Sequence, residues 1–424
     1  GIDVLYCFAN AGVLPTSLRY LVVKDPAEWQ AHIADIVTNC MGCVGTYEIL
    51  NEPNARAGMG KNPDPAKYDL LSTETNAEVI RWAYEAIRKY DKTTPIGGPT
   101  TCHTDLSWTL DVLGRGAAKY LDVITEHPYC TLPEVPDYAR QLRTLSAAAA
   151  QLKGRPMPTL ATERGKETPS DPPDGQMLRR DVDGAGLILR TMIVSYAGGS
   201  GCFYDFQLTS FNTLLGYNQV YGGNPDNNGK PRPSLVLYAQ RALLDLIEDH
   251  PFSRAFDVGS SARAYSFDRG RDRVVALWRF RGDPLEVRLP RPFEVVDFMG
   301  TRRTADVLVL DRFPQYLVTP MTDGELEKLF AQLDFGPEEK VVEEKRPQTK
   351  VPYFENAVDW EKAAKFEASD PKRPGERLDV HFAWNRAGLR MRAVVTKRGF
   401  HPDGSLETTM WKGDSLQVGF DTMK

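Results

Sequence analysis

The sequence predicts an α/β fold: a (β/α)8 barrel of the TIM type lacking its first two βα units, then an all-β sandwich and a partial second β-sandwich. Three observations predict it. Residues 1–250 alternate short apolar runs with stretches of helical periodicity, the pattern of a parallel sheet wrapped by helices. Two of the apolar runs, YEILNEPN (47–54) and TLATERG (159–165), carry a glutamate at their C-terminal end. From Pro251 the pattern shortens to the apolar/polar alternation of antiparallel strands.

In chain order, Ile2–Phe8 is a strand. Asp25–Val37 is a helix, because Pro26 suits a first turn and Trp29, Ile33 and Ile36 share a face. Val44–Leu50 is the second strand. Thr75–Tyr90 is an amphipathic helix with Val79, Trp82, Ala83, Ala86 and Ile87 on one side. Pro95–Gly97 is a short strand, and Leu106–Leu113 a helix closed by Gly114. Leu121–Thr125 and Met157–Thr162 are strands flanking a helix at Tyr138–Leu152. Asp183–Tyr196, Gly201–Phe206 and Leu235–Glu248 follow as helix, strand and helix. Gly, Asn and Pro over 209–233 spell a long loop. A closed barrel has eight strands and this region has six, so the chain is expected to begin two units late.

Residues 251–322 form the small sandwich, with runs such as RVVALWRF and ADVLVL. The charged stretch 323–350 reads as a helical or disordered linker. DVHFAWN, GLRMRAVV and SLQVGFD build a last, strand-rich unit over 351–424, which ends without a closing turn.

Composition narrows the function. Hydrophobic content of 42% and charged content of 26% describe a globular domain protein. A net charge of −5 argues against nucleic acid, whose binding needs a basic face. No run approaches the roughly 20 apolar residues of a membrane span. The chain opens on GIDVLYCF, with no signal peptide. Six cysteines make no disulfide framework, and Cys40 and Cys43 stand in C-x-x-C spacing without a second pair. Neither zinc nor another metal is expected, and the thiols are expected to be buried.

The chemistry begins with Glu52. A strand delivers it to the sheet's C-terminal edge, and Pro53 ends the ladder because it has no N–H to donate. Taken alone, NEP reads as a loop with a solvated acid. A second strand end at Glu163 changes the reading, because parallel strands put both carboxyls at one mouth. Two facing carboxyls are the equipment for glycoside hydrolysis, one protonated and one ionised. VITEHPY adds His127 and Tyr129 at the same rim, where the imidazole holds a carboxylate and the phenol donates to it. A single histidine is as often structural, and the two glutamates tip the balance. Glu48, Glu126 and Asp205 read as supporting acids.

NEP, HPY and T-E-x-G, in this order, resemble the clan A retaining glycoside hydrolases. Within the clan the likeness is to the xylosidase and arabinofuranosidase type, families 39 and 51, over about residues 1–320. The resemblance implies a retaining hydrolase of oligo- or polysaccharides, β-linked or α-L-arabinofuranosyl, working by double displacement without a metal or cofactor. By it, Glu52 is the acid/base and Asn51 contacts the hydroxyl beside the anomeric carbon. Glu163 is the nucleophile, supported by His127 and Tyr129. Such enzymes often carry a tryptophan on the last strand. This chain has CFYDFQ (202–207), which leaves Tyr204, Phe206 or Gln207 to line the sugar site. The last unit resembles family 9 carbohydrate-binding modules, with Trp384 and Trp411 as stacking candidates beside a plainer reading as core residues. A glycan substrate implies a secreted or periplasmic location. Two other readings stand: a non-catalytic glycan-binding scaffold on a degenerate barrel, and an endo-acting clan A glucanase or mannanase.

Overall fold

The computed structural model describes residues 4–9, 21–56, 64–129, 132–135, 137–165, 176–205, 221–222, 232–233, 235–336, 352–355, 357–369, 377–385 and 388–396. They fall into two compact units, Gly1–Glu339 and Lys340–Lys424.

The first unit opens with β1 (Leu5–Phe8), β2 (Leu21–Val23), α1 (Pro26–Cys40) and β3 (Thr46–Ile49). A single helical turn, α2 (Pro53–Arg56), leads to β4 (Tyr68–Leu70), α3 (Thr73–Tyr90), β5 (Ile96–Gly97) and β6 (Thr101–Cys102). Then come α4 (Leu106–Gly114), β7 (Ile124–His127), α5 (Tyr138–Lys153), β8 (Thr159–Arg164), α6 (Gln176–Ala197) and β9 (Ser200–Asp205). A two-residue antiparallel ladder, β10 (Tyr221–Gly222) with β11 (Arg232–Pro233), precedes α7 (Leu235–Ile247).

The strands β1, β3 and β5 pair in parallel, as do β6, β7, β8 and β9. A parallel bridge from Gly97 to Val123 joins the two ladders, so β5 and β6 act as halves of one interrupted strand. Spatial order follows chain order, as successive βα units dictate. These are the six strand positions read from the sequence. Among the described residues β1 and β9 are the outer strands.

Local chemistry fixes the helix ends. Asp25 caps α1 through the Ala27 amide, and Ser72 with Thr75 closes a capping box on α3. Gly154, at φ 78°, ends α5 in the left-handed conformation that glycine adopts freely. Trp29, Ile33 and Val37 of α1 meet Val79, Ile80 and Ile87 of α3 over Tyr47 and Ile49 of β3 in one buried cluster. The antiparallel pair β2–β4 has no counterpart in the sequence reading.

The thiols depart from expectation. Cys43 is exposed, and Cys7, Cys40, Cys102 and Cys202 are half-buried. Cys40, at the end of α1, packs at the margin of the core, and Cys43, in the turn after it, lies on the surface.

Beyond α7 the chain forms β12 (Phe252–Phe256), β13 (Ala262–Asp268), β14 (Arg273–Arg279), β15 (Leu285–Val296), β16 (Arg302–Leu310) and β17 (Gln315–Thr319). All six belong to one antiparallel sheet, ordered β12-β13-β14-β17-β15-β16, rather than to two separately bonded layers. The β15–β16 register breaks between Arg288 and Phe293. Val287, Leu289, Leu308 and Leu310 then share a core with Val275, Leu277 and Leu317, so the sheet folds over itself. Its other face, with Tyr265, Phe267 and Trp278, packs on α6 and α7.

The charged stretch after Thr322, expected as a helical or disordered linker, begins with a helix, α8 (Asp323–Phe330). Its Leu326, Leu329 and Phe330 are buried in the sheet's core, Glu325, Glu327 and Lys328 are exposed, and Asp323 turns to Ser266 and Arg273 of the sheet. A buried acid ties the antiparallel sheet to the α/β layers. Glu134 pairs with Arg190 at 3.0 Å and accepts from the Trp278 indole at 2.7 Å. Each charge keeps a partner, which is what lets the pair remain buried.

The second unit is a meander of β18 (Ala364–Ser369), β19 (Arg377–Asn385) and β20 (Gly388–Thr396). Trp384 lies on β19, but its side chain and all of Trp411 fall outside the described residues. No helix among the described residues is long and apolar enough to cross a membrane.

Candidate active site

Strand β3 sends Tyr47 and Ile49 into the helical layer. Period two therefore turns Glu48 to the opposite face of the sheet. Past its end the backbone turns sharply: Leu50 and Glu52 have φ of 66° and 49°. Left-handed conformations cost non-glycine residues about 1–3 kcal/mol and persist where surroundings impose them. Pro53 then starts α2, a position where its missing N–H is harmless.

On β7, His127 is only 1% exposed. Its Nδ1 lies 3.0 Å from Oε1 of Glu52 and 3.6 Å from Oε2 of Glu163. Glu163 comes from β8, and its Oε1 accepts the Tyr129 hydroxyl at 2.5 Å. One carboxylate oxygen of each glutamate and the imidazole nitrogen all lie within 4.8 Å of one another. The glutamate side chains are 20% and 19% exposed, so the acids face open space with the histidine beneath them.

Burial disfavours a charge on His127. The Glu52 hydrogen bond and the charges of Glu163, Glu48 and Glu52 outweigh it and raise its pKa. Nδ1 is the ring nitrogen that faces Glu52. Burial likewise raises Glu48, fully enclosed beneath the site, where Cys7, Thr125 and Thr162 line its carboxyl and Oε2 has no hydrogen-bond partner. On the outer face of β7, Glu126 accepts hydroxyls from Thr104, at 2.6 Å, and from Tyr138. Burial pushes its pKa up to about 8 against the opposing pull of Thr104 and His127.

The Glu126 shift has a sign that can be checked. The folded protein keeps Glu126 protonated up to about pH 8, whereas an unfolded chain releases that proton near pH 4.3. Stability from this group falls as pH rises between those values, by up to about 1.4 kcal/mol per unit. Glu126→Gln removes the slope, so urea unfolding from pH 5 to 8 should show the variant gaining steadily on the parent. A stability difference that does not change with pH would contradict this burial effect.

The three close groups also have the donor types of a metal site with two carboxylates and one histidine. In the structure His127 Nδ1 faces Glu52 at 3.0 Å and Glu163 at 3.6 Å, contacts that an acid pair makes with an imidazole between them.

Of the residues singled out from the sequence, the fold brings Glu52, His127, Tyr129 and Glu163 together. Asn51 is half-buried next to Glu52. Tyr204 stands on β9, the strand paired with that of Glu163, while Phe206 and Gln207 lie outside the described residues. His127 lies against both acids, closer to Glu52 at 3.0 Å than to Glu163 at 3.6 Å, and Tyr129 also contacts Glu163. Two neighbours went unread, Cys102 and Asn54. Cys102 pairs in register with His127, but a strand of two residues leaves no periodicity to find.

A cleft of about 510 Å³ opens at the opposite end of the sheet, beside Pro95, Val123 and Pro158. Its cations serve the fold: Arg88 and Arg155 neutralise Asp122, and Lys153 donates to the carbonyls of Lys119 and Leu121. Glu52, His127 and Glu163 lie at the other end.

No protein-family model and no curated protein matches this chain. Solved structures do. A variant of the GH86 protein BuGH86, in complex with neoagarooctaose, superposes with a TM-score of 0.53 at 14% identity, over 75% of this chain and 60% of that one. A conserved exported protein from Bacteroides fragilis gives 0.52 at 10% identity, over 74% and 76%. A GH39 β-xylosidase from Caulobacter crescentus gives 0.46 at 14%, over 74% and 79%. At these identities the likeness is one of fold: the chain has an α/β architecture shared with glycoside hydrolases.

Proposed function

We propose that this chain is a retaining glycoside hydrolase with Glu163 as nucleophile and Glu52 as acid/base. The observation that carries the reading is the approach of the two carboxylates to within 4.8 Å. Retaining enzymes set their carboxyls about 5–5.5 Å apart, whereas inverting enzymes leave roughly 6.5–9.5 Å for a water. The fold shared with glycoside hydrolases agrees with it.

In the first step Glu52 protonates the departing glycosidic oxygen while an ionised Glu163 oxygen attacks the anomeric carbon. The C–O bond to the leaving group breaks and a glycosyl ester forms on Glu163. Tyr129 donates to Oε1 of Glu163 and orients the carboxylate for attack. In the second step Glu52, now a carboxylate, takes a proton from water, and the hydroxide displaces Glu163. His127 lies against both acids, at 3.0 Å from Glu52 and 3.6 Å from Glu163, and holds the pair in place. Asn51, Tyr204 and Gln207 are assigned to sugar contacts. The substrate is an oligo- or polysaccharide, β-linked or α-L-arabinofuranosyl, and the protein is assigned to the secreted or periplasmic space. Residues 351–424 are assigned as a carbohydrate-binding-like unit, with Trp384 and Trp411 as stacking candidates beside their reading as core residues.

The test is stereochemical. A panel of aryl glycosides identifies a substrate, and proton NMR then records the first anomer released. Retention is expected. Release of the inverted anomer would refute double displacement. No turnover of any glycoside, together with oligosaccharide binding, would instead establish a non-catalytic glycan-binding scaffold.

A further inference from the structure

We infer that Asn54 and Cys102 form a clamp that fixes the position of Glu52 and tunes its hold on a proton. The inference rests on Glu52 being the acid/base. It starts from the backbone. Glu52 sits at φ 49° two residues after Leu50 at φ 66°, a turn with no glycine in it. Such a turn keeps its shape only where neighbours impose it.

Asn54 supplies that constraint. Its Oδ1 accepts the Cys102 amide at 2.8 Å, and its Nδ2 donates to the Cys102 carbonyl at 2.9 Å. One side chain thus satisfies both polar groups of one residue on a neighbouring strand. Nδ2 also reaches Asp105 Oδ2 at 3.3 Å, and Asp105 Oδ1 caps α4 through the Trp108 amide at 3.0 Å. The first turn after Glu52 is therefore pinned to the end of β6 and to the start of a helix.

The clamp also places a thiol. Register pairs Cys102 with His127, so both side chains stand on the same face of the sheet. The Cys102 thiol bonds Glu52 and feels Glu163 as well; burial, joined by these two acids, pushes its pKa up to about 12. It keeps its proton and donates. Glu52 thus has the imidazole on β7 and the thiol on β6. The other titratable groups around this pocket are Glu163 on β8, Glu48 beneath on β3, Tyr129, and His103, whose ring meets Tyr129 edge-on at 6.4 Å.

The choice of donor matters. A thiol is a weak hydrogen-bond donor, and a hydroxyl in its place would bind the carboxylate more firmly. An acid/base must give up a proton in one step and recover it in the next. A weak donor orients the carboxyl without locking it in the ionised form.

Two measurements test this. Cys102→Ser should strengthen the bond to the carboxylate and move the alkaline limb of kcat/KM to lower pH. Cys102→Ala should remove it and move the limb to higher pH, each by roughly half to one unit. Asn54→Ala should reduce kcat chiefly for substrates with poor leaving groups, which need the acid, and little for activated aryl glycosides. Opposite limb shifts, or that leaving-group dependence, support the clamp. Limbs that stay put or move together, or an Asn54→Ala loss equal for both leaving groups, overturn it. The cysteine variants change a single atom or remove one, so they remain readable should Asn54→Ala not fold. If Glu163→Gln keeps full activity, the hydrolase reading itself has failed; if that variant is dead and the limbs stay fixed, only the clamp has.

Discussion

Glu163→Ala is expected to lose on the order of 10⁴–10⁶-fold in kcat on any glycoside that the intact protein cleaves. The reasoning is geometric. Glu163 is the acid that Tyr129 orients, and one of its carboxylate oxygens lies within 4.8 Å of one of Glu52. Without a nucleophile no glycosyl ester forms, and the remaining groups cannot divide the reaction into two steps. Azide, small enough for the vacated space, should restore turnover and yield the glycosyl azide of inverted configuration. The product is read by NMR and the rate by release of the aryl group. A variant with near-parental kcat would remove Glu163 from the mechanism, and rescue with retained configuration would reassign it.

Glu52→Ala should behave differently with different leaving groups. Where the leaving group is a poor one, such as a sugar hydroxyl, loss of the general acid should cost about 10²–10⁴-fold. An activated nitrophenolate departs without protonation, so its release should survive as a burst before the slow second step. Azide should accelerate that second step and give the azide of retained configuration. The alkaline limb of the pH profile should vanish along with the group that produces it. An equal loss on both kinds of substrate would make Glu52 a structural acid.

Much of this arrangement was legible in the chain alone. The helices from Trp29 to Ile247 announced themselves because a buried stripe every 3.6 residues survives any detail of packing. The six strand positions followed from what lies between those helices. Glu52 and Glu163 stood out because each ends an apolar run, and parallel strands leave only one edge for such ends to share. Other features had no such signal. Segment 323–330 looked like linker because three buried residues, Leu326, Leu329 and Phe330, are few among its charges. The pair β2–β4 joins segments with no shared local pattern. Cys102 and Asn54 entered the site only through hydrogen bonds between residues 48 positions apart. That His127 lies nearer Glu52, at 3.0 Å, than Glu163, at 3.6 Å, is likewise a side-chain distance that residue order does not carry.

The division follows from the reach of each kind of information. Periodicity and turn chemistry are local, so residue order alone decided which segments are helix or strand and which edge carries the acids. Distances between side chains on different strands depend on register, backbone turns and burial, which are properties of the assembled sheet. Tertiary structure alone therefore decided that the two carboxylates approach within 4.8 Å, that an imidazole sits beneath them, and that a thiol from β6 bonds to Glu52.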